Sequence, residues 1–271
     1  MAKYKKKRAR ELKHDRFRDT TMSLMDRLGD RLEGKGQTIL YALIGIVAVG
    51  ALLLIFNSWR NRKADEARQA LGRAIEIAQA PVIEQPVAGN TELSFRNETE
   101  RAKRAVEEFR QVEAKYSGST REMARYFAAN NLLSLDRPKA LEELQNLSGS
   151  SEQEVSTLAK FALAQAKEAD AKLDEAAAIY SELAKLNSPL ITTETANLRL
   201  ASVYEKQGKK KEAADLLFNI VEPTRKAKDK EGNPLPQSAA ATEAAKKLEK
   251  LDPARYAQLT PAATASSDSE G

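Results

Sequence analysis

The chain contains no cysteine, one histidine and one tryptophan in 271 residues, and aromatic side chains make up only 6% of it. Without cysteine there are no disulfides, no thiolate metal sites and no thiol nucleophiles. His14 stands alone in a basic tail, so imidazole-based zinc sites and Ser/His/Asp triads are excluded, and the residue reads as solvated. Phosphate loops are missing too: Gly34 and Gly36 have Ile39 where a third glycine would be needed, and no strand precedes them. An enzyme would have to work with carboxylates and lysines alone. Those fall at exposed helical spacings, as in "KKKEAADLL" and "TEAAKKLEK". The expectation is a chain without catalytic residues, cofactor or metal, a carboxylate-based hydrolase being the alternative from another class.

What is present is divided unevenly. Residues 1–37 carry 12 Lys or Arg against 6 Asp or Glu, whereas residues 60–271 carry 32 against 33. The net charge of +5 therefore sits on a short head. That distribution argues against a nucleic-acid-binding fold and for attraction of the head to anionic membrane lipids. Abundant Ala, Glu, Lys and Leu suit an all-helical body.

The one long apolar run is "TILYALIGIVAVGALLLIFNSW", residues 38–59. Its unbroken part, Ile39 to Phe56, would extend roughly 27 Å as a helix, close to the hydrocarbon thickness of a bilayer. Tyr41 and Trp59 stand where interfacial aromatics belong. A cleaved signal peptide is the alternative, with Ala48-Val49-Gly50 as a small-x-small cleavage site, but the head is long and "ALLLIF" continues the apolar run past it. The segment is expected to be a single transmembrane helix. The distal "KYKKKRAR" places the N-terminus in the cytoplasm and the C-terminal domain in the periplasm, which implies the inner (plasma) membrane. Between them, "RFRDTTMSLMDRLGDRLEGKG" has apolar residues at helical spacing, and an amphipathic helix is expected in the head.

The rest of the chain repeats. Ala105, Ala140, Ala176 and Ala213 follow one another at intervals of 35, 36 and 37 residues. Four residues after each stands a large apolar residue: Phe109, Leu144, Tyr180, Leu217. Thirteen residues before the last three come Phe127-Ala128, Leu163-Ala164 and Leu200-Ala201. This pattern resembles the tetratricopeptide repeat, in which small residues let paired helices A and B approach and large ones fill the space between pairs. The first helix A is expected in "KADEARQALGRAIEIAQA", separated from its helix B by an insert loop, residues 81–98. The tryptophan position of the repeat is lost, holding Lys160 and Asn197 in the third and fourth units.

The fold class read from all this is all-α: an N-terminal single transmembrane helix followed by a tetratricopeptide-like helical-repeat solenoid. Repeats occupy 60–227, a turn-rich linker 228–237, a capping helix 238–259 and a disordered tail 260–271. The resemblance implies a concave face lined by the A helices. In this register its fifth and ninth positions are Arg125 and Ala129, Phe161 and Gln165, Leu198 and Ser202. The family's clamp for acidic chaperone tails needs Lys and Asn in the first A helix, where this chain has Gln69 and Arg73. An extended, partly apolar protein segment is therefore expected in the groove. The order of parts is similar to the single-pass ancillary subunit of the bacterial Sec translocon, which implies the SecYEG channel and periplasmic chaperones as partners. The alternative is a cytosol-facing anchored repeat receptor or assembly scaffold.

Overall fold

A computed structural model describes residues 63–83 and 93–261. The expected amphipathic helix, the transmembrane segment 38–59 and residues 262–271 of the tail lie outside the described residues. Among the described residues no helix is long and apolar enough to cross a membrane.

The described part is all-α, apart from isolated bridges. Helix α1 covers 63–79. It is followed by α2 (Glu98–Lys115), α3 (Ser119–Leu132), α4 (Arg137–Ser148), α5 (Gln153–Ala169), α6 (Leu173–Leu186), α7 (Thr193–Lys206), α8 (Lys210–Lys226), α9 (Ala239–Leu251) and the single turn α10 (Pro253–Tyr256). Side-chain caps fix several starts: Asn97, Asp136, Thr192, Ser238 and Asp252 each accept a backbone N–H three residues on. Gly118 opens α3 at φ 65°, a conformation that costs glycine nothing.

Each helix packs against the next in sequence, so the chain is a run of hairpins: α1/α2, α3/α4, α5/α6 and α7/α8, with α9 laid on the last. The periodic residues supply the contact surfaces. Ala105, Ala140, Ala176 and Ala213 are all fully buried, and Phe109, Leu144, Tyr180 and Leu217 beside them are at most 1% exposed. An alanine at the crossing lets the helix axes come close, and the large residue one turn later fills the layer between hairpins. The core accordingly forms four clusters in series, each shared by neighbouring hairpins.

Three details depart from the sequence reading. The ends of the insert are pinned together: Val82 bridges Phe95, with Ile83 N–H donating to Phe95 O at 2.8 Å. The capping segment is two helices, because Asp252 (φ −147°, ψ 82°) leaves the helical region ahead of Pro253, whose ring disfavours a helical residue before it. Finally, Thr260 is no part of a free tail. Its N–H donates to Glu222 Oε2 at 2.9 Å, and its carbonyl accepts from Arg225 at 2.9 Å.

Candidate functional site

The A helices are α1, α3, α5 and α7, and α9 continues their row. Backbones of α3 and α5 approach closely, as do those of α7 and α9. Helices α5 and α7 instead meet chiefly through α6, on which both rest. That wider backbone spacing, above the shared buried cluster of Ala164, Ala196, Leu200 and Val203, marks the candidate groove.

Helix α5 presents one stripe to this groove. Leu158 and Phe161 are half-buried, Gln165 is exposed, and Glu168 ends the stripe. The Phe161 ring meets the Tyr180 ring of α6 edge-on, 5.9 Å between centroids and 67° between planes. Such a T-shaped pair is favourable because the ring edge is positive and the face negative. Tyr180 is fully buried, and its hydroxyl donates to Glu168 Oε2 at 3.1 Å. Burial first, and the neighbouring Glu168 charge second, push the Tyr180 pKa well up. The other Glu168 oxygen accepts from Lys206 Nζ of α7 at 2.7 Å. One carboxylate thus ties α5, α6 and α7 together and closes one end of the groove.

The six residues expected at the groove fall into two groups. Ala129 is fully buried among Leu144, Leu147, Ala159 and Ala162, where α3, α4 and α5 meet. Leu198 is 6% exposed and packs with Leu217 of α8 and Ala241 and Ala244 of α9. These two serve helix contacts and offer no surface. Phe161 and Gln165 keep exposure on α5, whereas Ser202 is half-buried one turn beyond Leu198 on the same face of α7, donating its hydroxyl to Leu198 O at 3.1 Å. Arg125 is half-buried with its charge already answered, by Glu122 at 3.0 Å and by Glu113 of α2 at 3.5 Å.

Glu113 continues that chain to Arg110 at 2.7 Å, and Arg110 bonds Glu143 of α4. Burial works against the Arg110 charge, but the hydrogen bonds it donates to Glu143 and Glu113 outweigh it and raise its pKa. The ladder Glu122–Arg125–Glu113–Arg110–Glu143 fastens α3, α2 and α4, and leaves no unanswered guanidinium there for a ligand carboxylate. Gln69 and Arg73 are exposed on α1, and Arg73 lines a shallow cleft of about 130 Å³ with Gln111, Lys115 and Tyr116.

Sequence reasoning missed Leu158, Glu168 and Lys206. Leu158 sits one turn before Phe161 and could have been found by extending the stripe. Glu168 and Lys206 are 38 residues apart, and no motif links them.

No protein-family model matches the sequence, and no curated protein matches it. Solved structures that do match are crystal structures of the nearly identical TPR-like repeats of a Podosopora anserina candidate kinesin light chain, and of a single-residue variant of those repeats. They are 17% and 18% identical to this chain, cover 69% of it and 85% and 84% of their own length, and align with a TM-score of 0.48 in both cases. Likeness at that level says nothing of a ligand. The chain's own hairpins, with small residues buried at every crossing, make it a tetratricopeptide-like helical-repeat array.

Proposed function

We propose that this chain is a membrane-anchored protein-interaction scaffold whose ligand groove lies between α5 and α7. The observation that carries the proposal is the wider spacing of α5 and α7, beside which Phe161 is left half-exposed over a buried tyrosine. An aromatic face at the floor and the Gln165 amide on the wall suit an extended segment with an apolar side chain. A terminal carboxylate would find no unpaired guanidinium in Arg125. The carboxylates beside the groove are occupied in ion pairs, which supports a binding role over a hydrolytic one.

In this proposal residues 38–59 anchor the chain in the inner membrane, with the basic head on cytoplasmic lipid and the repeats in the periplasm, within reach of the SecYEG channel and its chaperones. The orientation is tested by single cysteines in place of Ser23 and Lys139, labelled from outside intact cells with an impermeant reagent. Labelling at Lys139→Cys alone is expected. Labelling at Ser23→Cys alone would reverse the assignment and favour a cytosol-facing receptor.

A further inference from the structure

Helices α5 and α7 run in the same direction, because α6 is antiparallel to both. Lys160 pairs with Glu182 and Lys167 with Glu175 between α5 and α6, and Thr193 bonds Ala184 and Gln207 bonds Asp174 between α7 and α6. One ion pair aligns the two A helices: Lys206 Nζ of α7 lies 2.7 Å from Glu168 Oε1 of α5. Seven residues before Glu168 stands Phe161, and seven residues before Lys206 stands Arg199. Seven residues are close to two helical turns, so each earlier residue lies on nearly the same face as the later one, about 10 Å nearer the helix start. Arg199 therefore stands across the α5–α7 gap from Phe161. Its charge is felt at the Tyr180 hydroxyl below: burial and Glu168 push that pKa up, and Arg199 pulls it down.

Arg199 is exposed, and among the described residues no carboxylate pairs with it. Its neighbours one turn away on α7, Thr195, Ala196, Ser202 and Val203, carry no charge. The acids around the gap are committed elsewhere. Glu168 accepts from Tyr180 and Lys206, Glu182 of α6 pairs with Lys160, and Glu122 of α3 pairs with Arg125. On α7 itself Glu194 accepts from Ser238, and Glu205 stands two turns beyond Leu198, on the side where α9 packs. Among the described residues the Arg199 guanidinium does not lie on the Phe161 ring either, as that of Arg255 lies on Phe218 at 4.4 Å. A half-exposed ring and an unanswered guanidinium thus form opposite walls of one gap.

We propose that Arg199 reads the ligand, holding the carboxylate of an acidic side chain next to the apolar residue that covers Phe161. The inference rests on the reading of the α5–α7 gap as a groove for an extended segment. Successive side chains of such a segment point to opposite sides, so neighbouring residues meet the two walls. A planar guanidinium donates two parallel N–H bonds to a carboxylate, and these are stronger than bonds between neutral groups.

The test is a selection from random dodecapeptides displayed on phage, whose fusion to the coat protein leaves them no free carboxyl terminus. The full chain in detergent solution is the target, unaltered or carrying Arg199→Glu, Arg199→Gln or Phe161→Ala. Both Arg199 variants change an exposed side chain and should keep the melting temperature of the unaltered chain. Peptides selected by the unaltered chain are expected to place Asp or Glu beside an apolar residue. Their affinity should fall about tenfold or more on Arg199→Glu and less on Arg199→Gln, and selection on Arg199→Glu should return Lys or Arg at the same place. Peptides that need the Phe161 ring but lack the acidic neighbour, or bind Arg199→Glu equally well, overturn the role of Arg199 and leave the groove standing. Peptides indifferent to Phe161→Ala, or a selection that enriches none, overturn the groove reading and this inference with it.

Discussion

The contact between α3 and α5 and the gap between α5 and α7 are two solutions to the same joint. Both join neighbouring A helices across a B helix, and both fall in the same repeat register. At the first joint the ninth position of the leading helix is Ala129, fully buried, and four residues (149–152) connect α4 to α5. At the second the equivalent residue is the exposed Gln165, and six residues (187–192) including Pro189 connect α6 to α7. A methyl group lets two backbones close, whereas an amide needs water or a partner at its tip and keeps them apart. The groove is thus a consequence of one side chain and two extra linker residues. The helices themselves are built alike.

That comparison can be broken from either side. Leu198→Ala, on the α7 face turned away from the groove, truncates a core residue and should cost about 2 to 5 kcal/mol in a thermal or urea melt. A loss under about 0.5 kcal/mol, the range of surface substitutions, would return Leu198 to the groove. Ala129→Gln, which places the second joint's residue in the first, should cost about 1 to 3 kcal/mol through overpacking and a buried amide. An unchanged melt would mean that residue size at this position does not set the spacing.

Two smaller effects sharpen the picture. Ala171 sits at φ 56° in the α5–α6 turn, where the α7–α8 turn has Gly208 at φ 75°. Since a left-handed conformation costs an L-residue roughly 1 to 2 kcal/mol, Ala171→Gly should raise stability, by somewhat less than that because glycine also loses more entropy on folding. A lower melting temperature would contradict the turn geometry. The last effect is acid sensitivity of the C-terminal clasp. Glu222 is held down to about 2 by the hydrogen bond from Lys226, then by those from Thr260. A depressed carboxylate favours the folded state when charged. Its contribution is complete above the ordinary carboxylate pKa of about 4.5 and drains away as pH falls toward 2. Protection of the Thr260 amide, its exchange measured against the intrinsic rate at each pH, should therefore fall across that window, and Glu222→Gln should show low protection at neutral pH as well.

The hairpin register was legible because burial at helix crossings demands small residues at a fixed period, and Ala105 through Ala213 display that period openly. The groove was only half legible. A register predicts which residues share a face, but whether that face is open depends on how far apart two helices settle. The size of the residue at position 165 and the length of the 187–192 connection govern that distance, and neither is set by the repeat period. The same reasoning explains Leu198: its position matched that of Phe161, but α8 and α9 close over it, whereas Phe161 is covered on one side only. The split at Asp252-Pro253 is legible as a dipeptide, since proline disfavours a helical residue before it.

The claim that the gap between α5 and α7 receives a protein segment is tested most directly by photocrosslinking in intact cells. A photoreactive residue replaces Gln165 in the groove or, as a control, the exposed Lys139 on the outer face of α4. The account predicts a discrete adduct at position 165 that disappears when Phe161→Ala is added, in a variant that still unfolds in one cooperative transition above the temperature of the experiment, and no such adduct at position 139. Equal adducts at both positions, or an adduct at 165 that survives loss of the Phe161 ring, would contradict it.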